Sequence, residues 1–249
     1  MLCSDSQQMR GEQGRRLARS ARKVYEPRQG LLIAAAGFQD IAQEFSLRVQ
    51  RSRDLELDAD RLELKSQFQA LLRALREDSD IEGRSNHVEF LLAWWPRRGR
   101  DPVALHLFSA GAAEWVEGWA FAGLRLGTEI ASFATSTMRY LDPATLTLEQ
   151  AKLLALKVLR DTIETSVEGI GGRVQMGAVG RRGVGVIEGA DMAGLHDAVD
   201  LWETRCAELL RSSDRVRPAS SDEILSPASS VHAEQPQQEA ASKWTGNWS

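Results

Sequence analysis

The chain has 249 residues, 43% hydrophobic and 27% charged, which is typical of a globular protein with room for one substantial core. The formal net charge of −4 argues against general nucleic-acid binding, and no apolar run reaches the ~20 residues that a membrane-spanning helix requires. The cysteines, Cys3 and Cys206, lie far apart without the spacing of metal ligands. We therefore expect a cytoplasmic protein with no metal and no cofactor.

A basic stretch, Arg15–Lys23 ("RRLARSARK"), lies near the start of the chain. Phosphate binding is one interpretation. No aromatic residue interleaves its charges, however, and single-strand binders usually stack bases on such residues. The stretch is therefore interpreted as a solvated connection between two strands.

The first half of the chain predicts strands around a pair of helices. The run Gly30–Gly37 ("GLLIAAAG") is short, apolar and bounded by glycines, as in a buried strand. Two stripes at helical spacing follow: Phe38, Ile41, Ala42, Phe45 and Val49, then Leu64, Phe68, Leu71, Leu72 and Leu75. Three strand patterns come next, "HVEFLLAWW", "PVALHLFSA" and "AEWVEGWAF", and the third predicts one shared face for Trp115, Glu117, Trp119 and Phe121.

The second half predicts two more helices, a hairpin and a final helix. The first helix carries Ile130, Phe133, Ala134, Thr137 and Leu141, and the second begins at a capping box formed by Thr147 and Gln150. The second stripe comprises Ala151, Leu154, Ala155, Val158 and Leu159. The strings "RVQMGAV" and "VGVIE" predict a hairpin around "GRRG". The last helix carries Leu195, Ala198, Val199, Trp202, Cys206 and Leu209.

These patterns predict a domain over residues 1–211 and a disordered tail over 212–249, which is rich in Ser, Ala, Gln and Pro. Paired strand runs separated by paired helices favour two antiparallel sheets with helices outside them, an α+β fold. No nucleophile elbow, phosphate loop or dinucleotide fingerprint occurs, and the histidines lack ligand spacing. Composition and periodicity alone therefore stop at a soluble α+β domain.

Several strings, taken in order over Met1–Glu188, resemble 20S proteasome subunits. They are "SDSQQMRG" with "ARKVYEP", then "GLLIAAAGFQDIAQEF", "TLTLEQAKLLALKVLRDTIE" and "SVEGIGGRVQMGAVG". The resemblance implies an N-terminal-nucleophile hydrolase fold, a four-layer α/β/β/α sandwich. It also implies assembly into homo-oligomeric rings, polypeptide substrates and a ring-shaped ATPase as partner.

In active members of that family an N-terminal threonine is the nucleophile and its own amino group assists as base. The resemblance implies that Asp5 and Lys23 are the supporting catalytic residues, with Gly11 as the turn glycine between them. It further implies that the backbone of Gly37 lines the substrate pocket. A surface Asp and Lys in a strand pair is the plainer interpretation, and both stay open at this point.

The chain also departs from the family pattern. Met1 aligns inside the second strand, so the first strand and its nucleophile are expected to be missing, leaving one edge of Met1–Ser6 without a partner. "VEGIGG" replaces the family's Asp-x-x-Ser-Gly-Gly, so its carboxylate and hydroxyl are lost unless Glu168 or Ser166 substitutes. Leu124 or Arg125 stands where a serine is expected, with Thr128 as a displaced replacement.

Three readings compete. The first is a threonine-type peptidase subunit involved in protein degradation. In this hypothesis the gene start is placed too late, and the missing upstream segment carries the nucleophile. We expect the chain as given to lack peptidase activity. The second is a catalytically silent, structural subunit-like protein. The third is an unrelated α+β binding module.

Overall fold

A computed structural model of the chain describes residues 1–5, 7–8, 19–78, 88–97, 101–118, 120, 122, 141–142, 145–165 and 171–213. The chain divides into two compact units, Met1–Glu203 and Thr204–Ser249, and residues 204–213 of the second are the end of a helix. Within the described residues the fold is α+β, with antiparallel sheets and four helices.

The larger sheet has five antiparallel strands in the order β4-β5-β6-β7-β8. They are β4 (Val24–Arg28), β5 (Leu31–Gly37), β6 (Val88–Trp94), β7 (Val103–Leu107) and β8 (Ala113–Trp115). Strand β5 confirms the strand predicted from "GLLIAAAG". Its residues 31–35 are all buried, because β5 is flanked by β4 and β6 and both of its faces are covered.

A second antiparallel sheet has three strands in the order β1-β9-β10. They are β1 (Leu2–Ser4), β9 (Gln175–Gly180) and β10 (Gly183–Ile187). The β9–β10 hairpin turns at residues 181–182, which confirms the hairpin predicted around "GRRG". Among the described strands β1 is an edge strand that pairs with β9 alone. Two short strands, β2 (Gln7–Gln8) and β3 (Arg19–Ser20), pair separately.

The described helices are α1 (Gln39–Arg51), α2 (Arg61–Arg76), α3 (Leu148–Thr165) and α4 (Gly189–Ser213). The predicted capping box is confirmed at the start of α3. The Thr147 N–H donates to Gln150 Oε1 at 2.9 Å, and the Gln150 N–H donates to Thr147 Oγ1 at 3.3 Å. None of these helices combines the length and hydropathy needed to cross a bilayer.

The apolar stripes of α1 and α2 bury against one face of the five-stranded sheet. Phe45 of α1 stacks on Phe90 of β6 with ring centroids 4.2 Å apart, and Phe68 of α2 lies 5.9 Å from Trp94. All four rings are at most 1% exposed. Burying apolar surface stabilises the folded state by ~25 cal/mol per Å². Because aromatic side chains have the largest surfaces, they are the largest single contributors to a core.

The opposite face of the five-stranded sheet meets the three-stranded sheet. Leu2 of β1 and Val179 of β9 share a buried cluster with residues of β4, β5 and β6, among them Val24, Leu32 and Ala93. The other face of the three-stranded sheet packs against α3 and α4. That cluster consists of Met176, Ala178, Ile187, Leu156 and Val199.

Some expectations from the sequence were wrong. The strand predicted in "AEWVEGWAF" ends at Trp115, because residues 117–118 form a bend in which Gly118 has a φ of 112°. Glu117 is therefore not on a shared strand face, and Trp119 and Phe121 lie outside the described residues. Phe38 precedes α1 and is 44% exposed instead of completing the buried stripe.

The predicted face of the last helix was partly wrong as well. Val199 is fully buried, but Cys206 is exposed and Leu209 is 69% exposed. The stripe predicted from Ile130 to Leu141 lies outside the described residues except for Leu141, which is 38% exposed. Of the tail predicted over 212–249, residues 212–213 are the end of α4, and the others lie outside the described residues.

Gly177 offers a test of the contact between the two sheets. A Cβ at this position would lie 2.8 Å from Leu32 Cδ1 and 3.2 Å from Leu32 Cδ2, both inside the packed core. We expect Gly177→Val to lower the free energy of unfolding by about 2 kcal/mol through overpacking, measured by urea denaturation.

Gly185→Val is the matched control. Gly185 lies on β10, is exposed, and has no atom within 4 Å of its Cβ direction. Its unfolding free energy should stay within about 0.5 kcal/mol of the unmodified protein. Equal losses in the two variants would contradict the close approach of the sheets.

Candidate functional site

The structure brings Asp5 and Lys23 into direct contact. The Lys23 Nζ donates to Asp5 Oδ1 at 2.6 Å, and the two side chains are only 13% and 11% exposed. Asp5 follows β1 directly and Lys23 precedes β4 directly, so each belongs to the end of a strand in a different sheet. The catalytic roles implied for them in the sequence analysis stay predictions.

Gln175, the first residue of β9, fixes the segment that carries Lys23. Its Oε1 accepts from the Lys23 N–H at 2.8 Å and the Val24 N–H at 3.2 Å, and its Nε2 donates to the Ala21 carbonyl at 2.6 Å. One carboxamide therefore satisfies three backbone groups. Gln175 is also the register partner of Ser4 in β1, so it lies between the strand ends that hold the pair.

The second oxygen of the Asp5 carboxylate accepts a hydrogen bond from the backbone. The Gly171 N–H, which is buried, donates to Asp5 Oδ2 at 3.1 Å. Each oxygen of the Asp5 carboxylate thus accepts a hydrogen bond in a largely buried position, one from an ammonium and one from a backbone N–H.

Gly37 lies at the same end of the five-stranded sheet as Lys23. The Ala35 N–H donates to the Lys23 carbonyl at 3.0 Å, and Gly37 ends β5 two residues further on. Its φ of 114° falls in a region that favours glycine, and it is exposed. Its backbone is therefore accessible at the end of the sheet where Lys23 lies, and the implied pocket role stays a prediction. Gly11, Leu124, Arg125, Thr128, Ser166 and Glu168 lie outside the described residues.

The two described side chains next to Asp5 are poor nucleophiles. Burial raises the pKa of the Cys3 thiol to about 12; a hydrogen bond with the Ser4 backbone opposes this rise and the Asp5 carboxylate adds to it. Cys3 packs with the cluster beneath α3 and α4. Ser4 Oγ donates to the Asp5 carbonyl at 3.2 Å, a contact that does not activate the hydroxyl.

This arrangement supports charge without supplying a reacting atom. A buried ammonium held by a carboxylate lowers the pKa of a neighbouring amine and stabilises negative charge that develops beside it. Within the described residues no group of three His, Cys, Asp or Glu side chains could hold a metal ion.

The sequence analysis missed Gln175 and the hydrogen bond from Gly171. Gln175 begins a strand whose next four residues are small or apolar. This pattern is a usable signal for a structural hydrogen bond, because a buried amide must find partners. The sequence gives no such signal for the hydrogen bond from Gly171, since a backbone N–H is present at every residue except proline.

Comparison with solved structures shows what kind of fold carries this site. Anbu (ancestral beta-subunit) from Yersinia bercovieri superposes with a TM-score of 0.61 at 13% identity, covering 84% of this chain and 91% of that one. An Anbu mutant from Hyphomicrobium sp. strain MC1 gives 0.60 at 12% identity with the same coverage. The fold is proteasome-like.

The family named from the sequence is corrected by these comparisons. No protein-family model and no curated protein matches the chain. The two solved structures compared above are Anbu proteins at 12–13% identity, so membership among 20S proteasome subunits lacking a first strand was wrong. The short strings that suggested it follow the order of strands and helices, which distant proteins of one fold share without sharing a family.

A double-mutant cycle tests the ion pair. Lys23→Met or Asp5→Asn should each lower the free energy of unfolding by about 3 kcal/mol, because each removes one partner of a buried pair. The double variant should lose at least about 1 kcal/mol less than the sum of the singles in urea denaturation. Lys152→Met is the control, since its partner Glu149 is 74% exposed and the loss should be under about 0.5 kcal/mol. Additive losses in the cycle would contradict the pairing.

Thiol labelling tests the environment of Cys3. Cys206 is exposed, so a chromogenic disulfide reagent at about pH 8 should label it rapidly in the folded protein while Cys3 stays protonated and unreactive. Cys206→Ser should abolish the rapid phase, and denaturation should restore reactivity at Cys3. Rapid labelling of folded Cys206→Ser would show that Cys3 carries an accessible thiolate.

Proposed function

We propose that this chain is a proteasome-like subunit connected with protein degradation, and that Asp5 and Lys23 are the charge-supporting part of a peptide-hydrolysing site. The observation that carries the proposal is the 2.6 Å contact of Lys23 Nζ with Asp5 Oδ1, at the strand ends of a fold similar to that of Anbu. A positive charge beside an N-terminal amine favours the neutral amine, which then serves as a general base.

The chain as given is proposed to be inactive as a threonine-type peptidase. Cys3 has a pKa raised to about 12, and the hydroxyl of Ser4 donates to a carbonyl. Met1 carries no hydroxyl or thiol. The pair therefore has no activated nucleophile among the described residues beside it.

The finer architecture belongs to the same proposal. The core clusters support a four-layer α/β/β/α sandwich in which α1 and α2 form one outer layer and α3 and α4 the other. Cytoplasmic location, polypeptide substrates, a homo-oligomeric ring and a ring ATPase as partner are proposed with it, and none of them is observed in a single chain.

Two alternatives lead to different outcomes. A catalytically silent structural subunit would share the fold and assembly and would keep the pair for stability alone. An unrelated α+β binding module would need neither assembly nor a hydrolytic site, and the likeness to Anbu over 84% of the chain favours the subunit-like readings over it.

The experiment combines size and activity. The unmodified protein, Lys23→Ala and the control Lys152→Ala are separated by size exclusion with light scattering, and each fraction is assayed with fluorogenic peptides. We expect an assembly several times the chain mass of 27.6 kDa and no turnover in any fraction. A strict monomer at micromolar concentration would contradict ring assembly. Turnover that Lys23→Ala abolishes and Lys152→Ala retains would contradict inactivity and establish an enzyme.

A further inference from the structure

A cationic cleft lies at the opposite end of the sheets from Asp5 and Lys23. It is formed by the β4–β5 turn, the segment after β6, and the β9–β10 turn that the sequence predicted around "GRRG". Its volume is about 580 Å³, within the range of roughly 300–1,000 Å³ usual for small-molecule sites. Among the described residues its lining includes Arg97, Arg181, Arg182 and Trp95.

The three arginines concentrate positive charge on a protein whose formal net charge is −4. The Arg181 guanidinium lies over the Trp95 ring, 5.4 Å from its centroid. A cation–π contact of this kind holds the positive charge of Arg181 beside Trp95, at the wall of the cleft. Arg97 and Arg182 are both exposed, so their charges face the solvent that fills the cleft.

Two carboxylates border the cleft, and each accepts a backbone hydrogen bond from a lining residue. Glu26 Oε1 accepts from the Gly30 N–H at 3.2 Å, and Asp58 Oδ1 accepts from the Arg97 N–H at 2.6 Å. They order the rim and occupy these two N–H groups. A ligand would therefore be held by the arginine side chains, whose planar guanidinium groups donate paired hydrogen bonds to the oxygens of phosphate and carboxylate groups.

Glycine keeps two walls of the cleft open. Gly30 in the β4–β5 turn and Gly183 at the start of β10 have φ values of 82° and 122°, and no atom lies within 4 Å of a Cβ built on either. A side chain at these positions would project into open space instead of into the core. Their absence lets a ligand approach the backbone closely.

We propose that this cleft binds the phosphate group of a phosphorylated small molecule. The three arginines outnumber the two carboxylates at the rim and can donate to several phosphate oxygens at once, and the volume accommodates a molecule of mononucleotide size with Trp95 as an apolar wall. The proposal is independent of the hydrolytic site, because it uses residues at the other end of β9.

Isothermal titration with adenosine 5′-monophosphate, ribose 5-phosphate, inorganic phosphate and uncharged adenosine tests the proposal on the full chain. At an ionic strength of about 50 mM we expect the phosphate esters to bind with a Kd below about 1 mM and adenosine not to bind. Arg181→Ser/Arg182→Ser should weaken binding at least about tenfold, because it removes both guanidinium groups of the turn.

Arg51→Ser/Arg53→Ser is the matched control, since it removes the same charge from exposed residues that do not line the cleft. It should change the Kd by less than about twofold. Circular dichroism of both variants checks that they fold. The proposal is overturned if no phosphate ester binds below about 10 mM, if both double variants weaken binding equally, or if adenosine binds as tightly as its monophosphate. Equal affinity for inorganic phosphate and the esters would support a phosphate site without a contribution from Trp95.

Discussion

The packing of β9 against the five-stranded sheet is the contact that joins the two sheets and positions the ion pair. At Gly177 the missing side chain leaves room for Leu32, so the sheets approach closely enough to exclude water. Two residues earlier, Gln175 satisfies three backbone groups at the start of β4 and in the segment before it. Strand β9 thus packs against apolar residues of the larger sheet and also hydrogen-bonds to the backbone that leads into β4. Through its pairing with β1 it also fixes the position of Asp5.

This arrangement explains why a charged pair can occupy so buried a position. Taking a carboxylate and an ammonium out of water costs several kcal/mol per ion, and a well-packed apolar pair is often at least as stable. Asp5 and Lys23 recover part of that cost through a short mutual contact and the N–H of Gly171. Stability alone is therefore a weak reason for such a pair.

Elements that depend on local sequence were predictable. The apolar run of β5, the stripes of α1 and α2, the capping box before α3 and the β9–β10 hairpin are all specified within about 20 neighbouring residues. The site depends on contacts between distant residues. Gln175 lies 152 residues from Lys23, and Gly171 lies 166 from Asp5, so no local pattern reports either hydrogen bond. The end of β8 was predicted wrongly because alternating aromatic residues continue the strand pattern past the bend at Gly118.

The strand β9 also separates two regions that can change independently. Gln175 stands at one end beside the ion pair, and Gly180 leads into the Arg181–Arg182 turn at the other, about 17 Å away at the usual rise of a strand. At that distance, substitutions at the two ends should have nearly additive effects. Natural variation could therefore alter what the turn binds without disturbing the buried charges, so one scaffold can keep its interior while its outer end acquires new specificity.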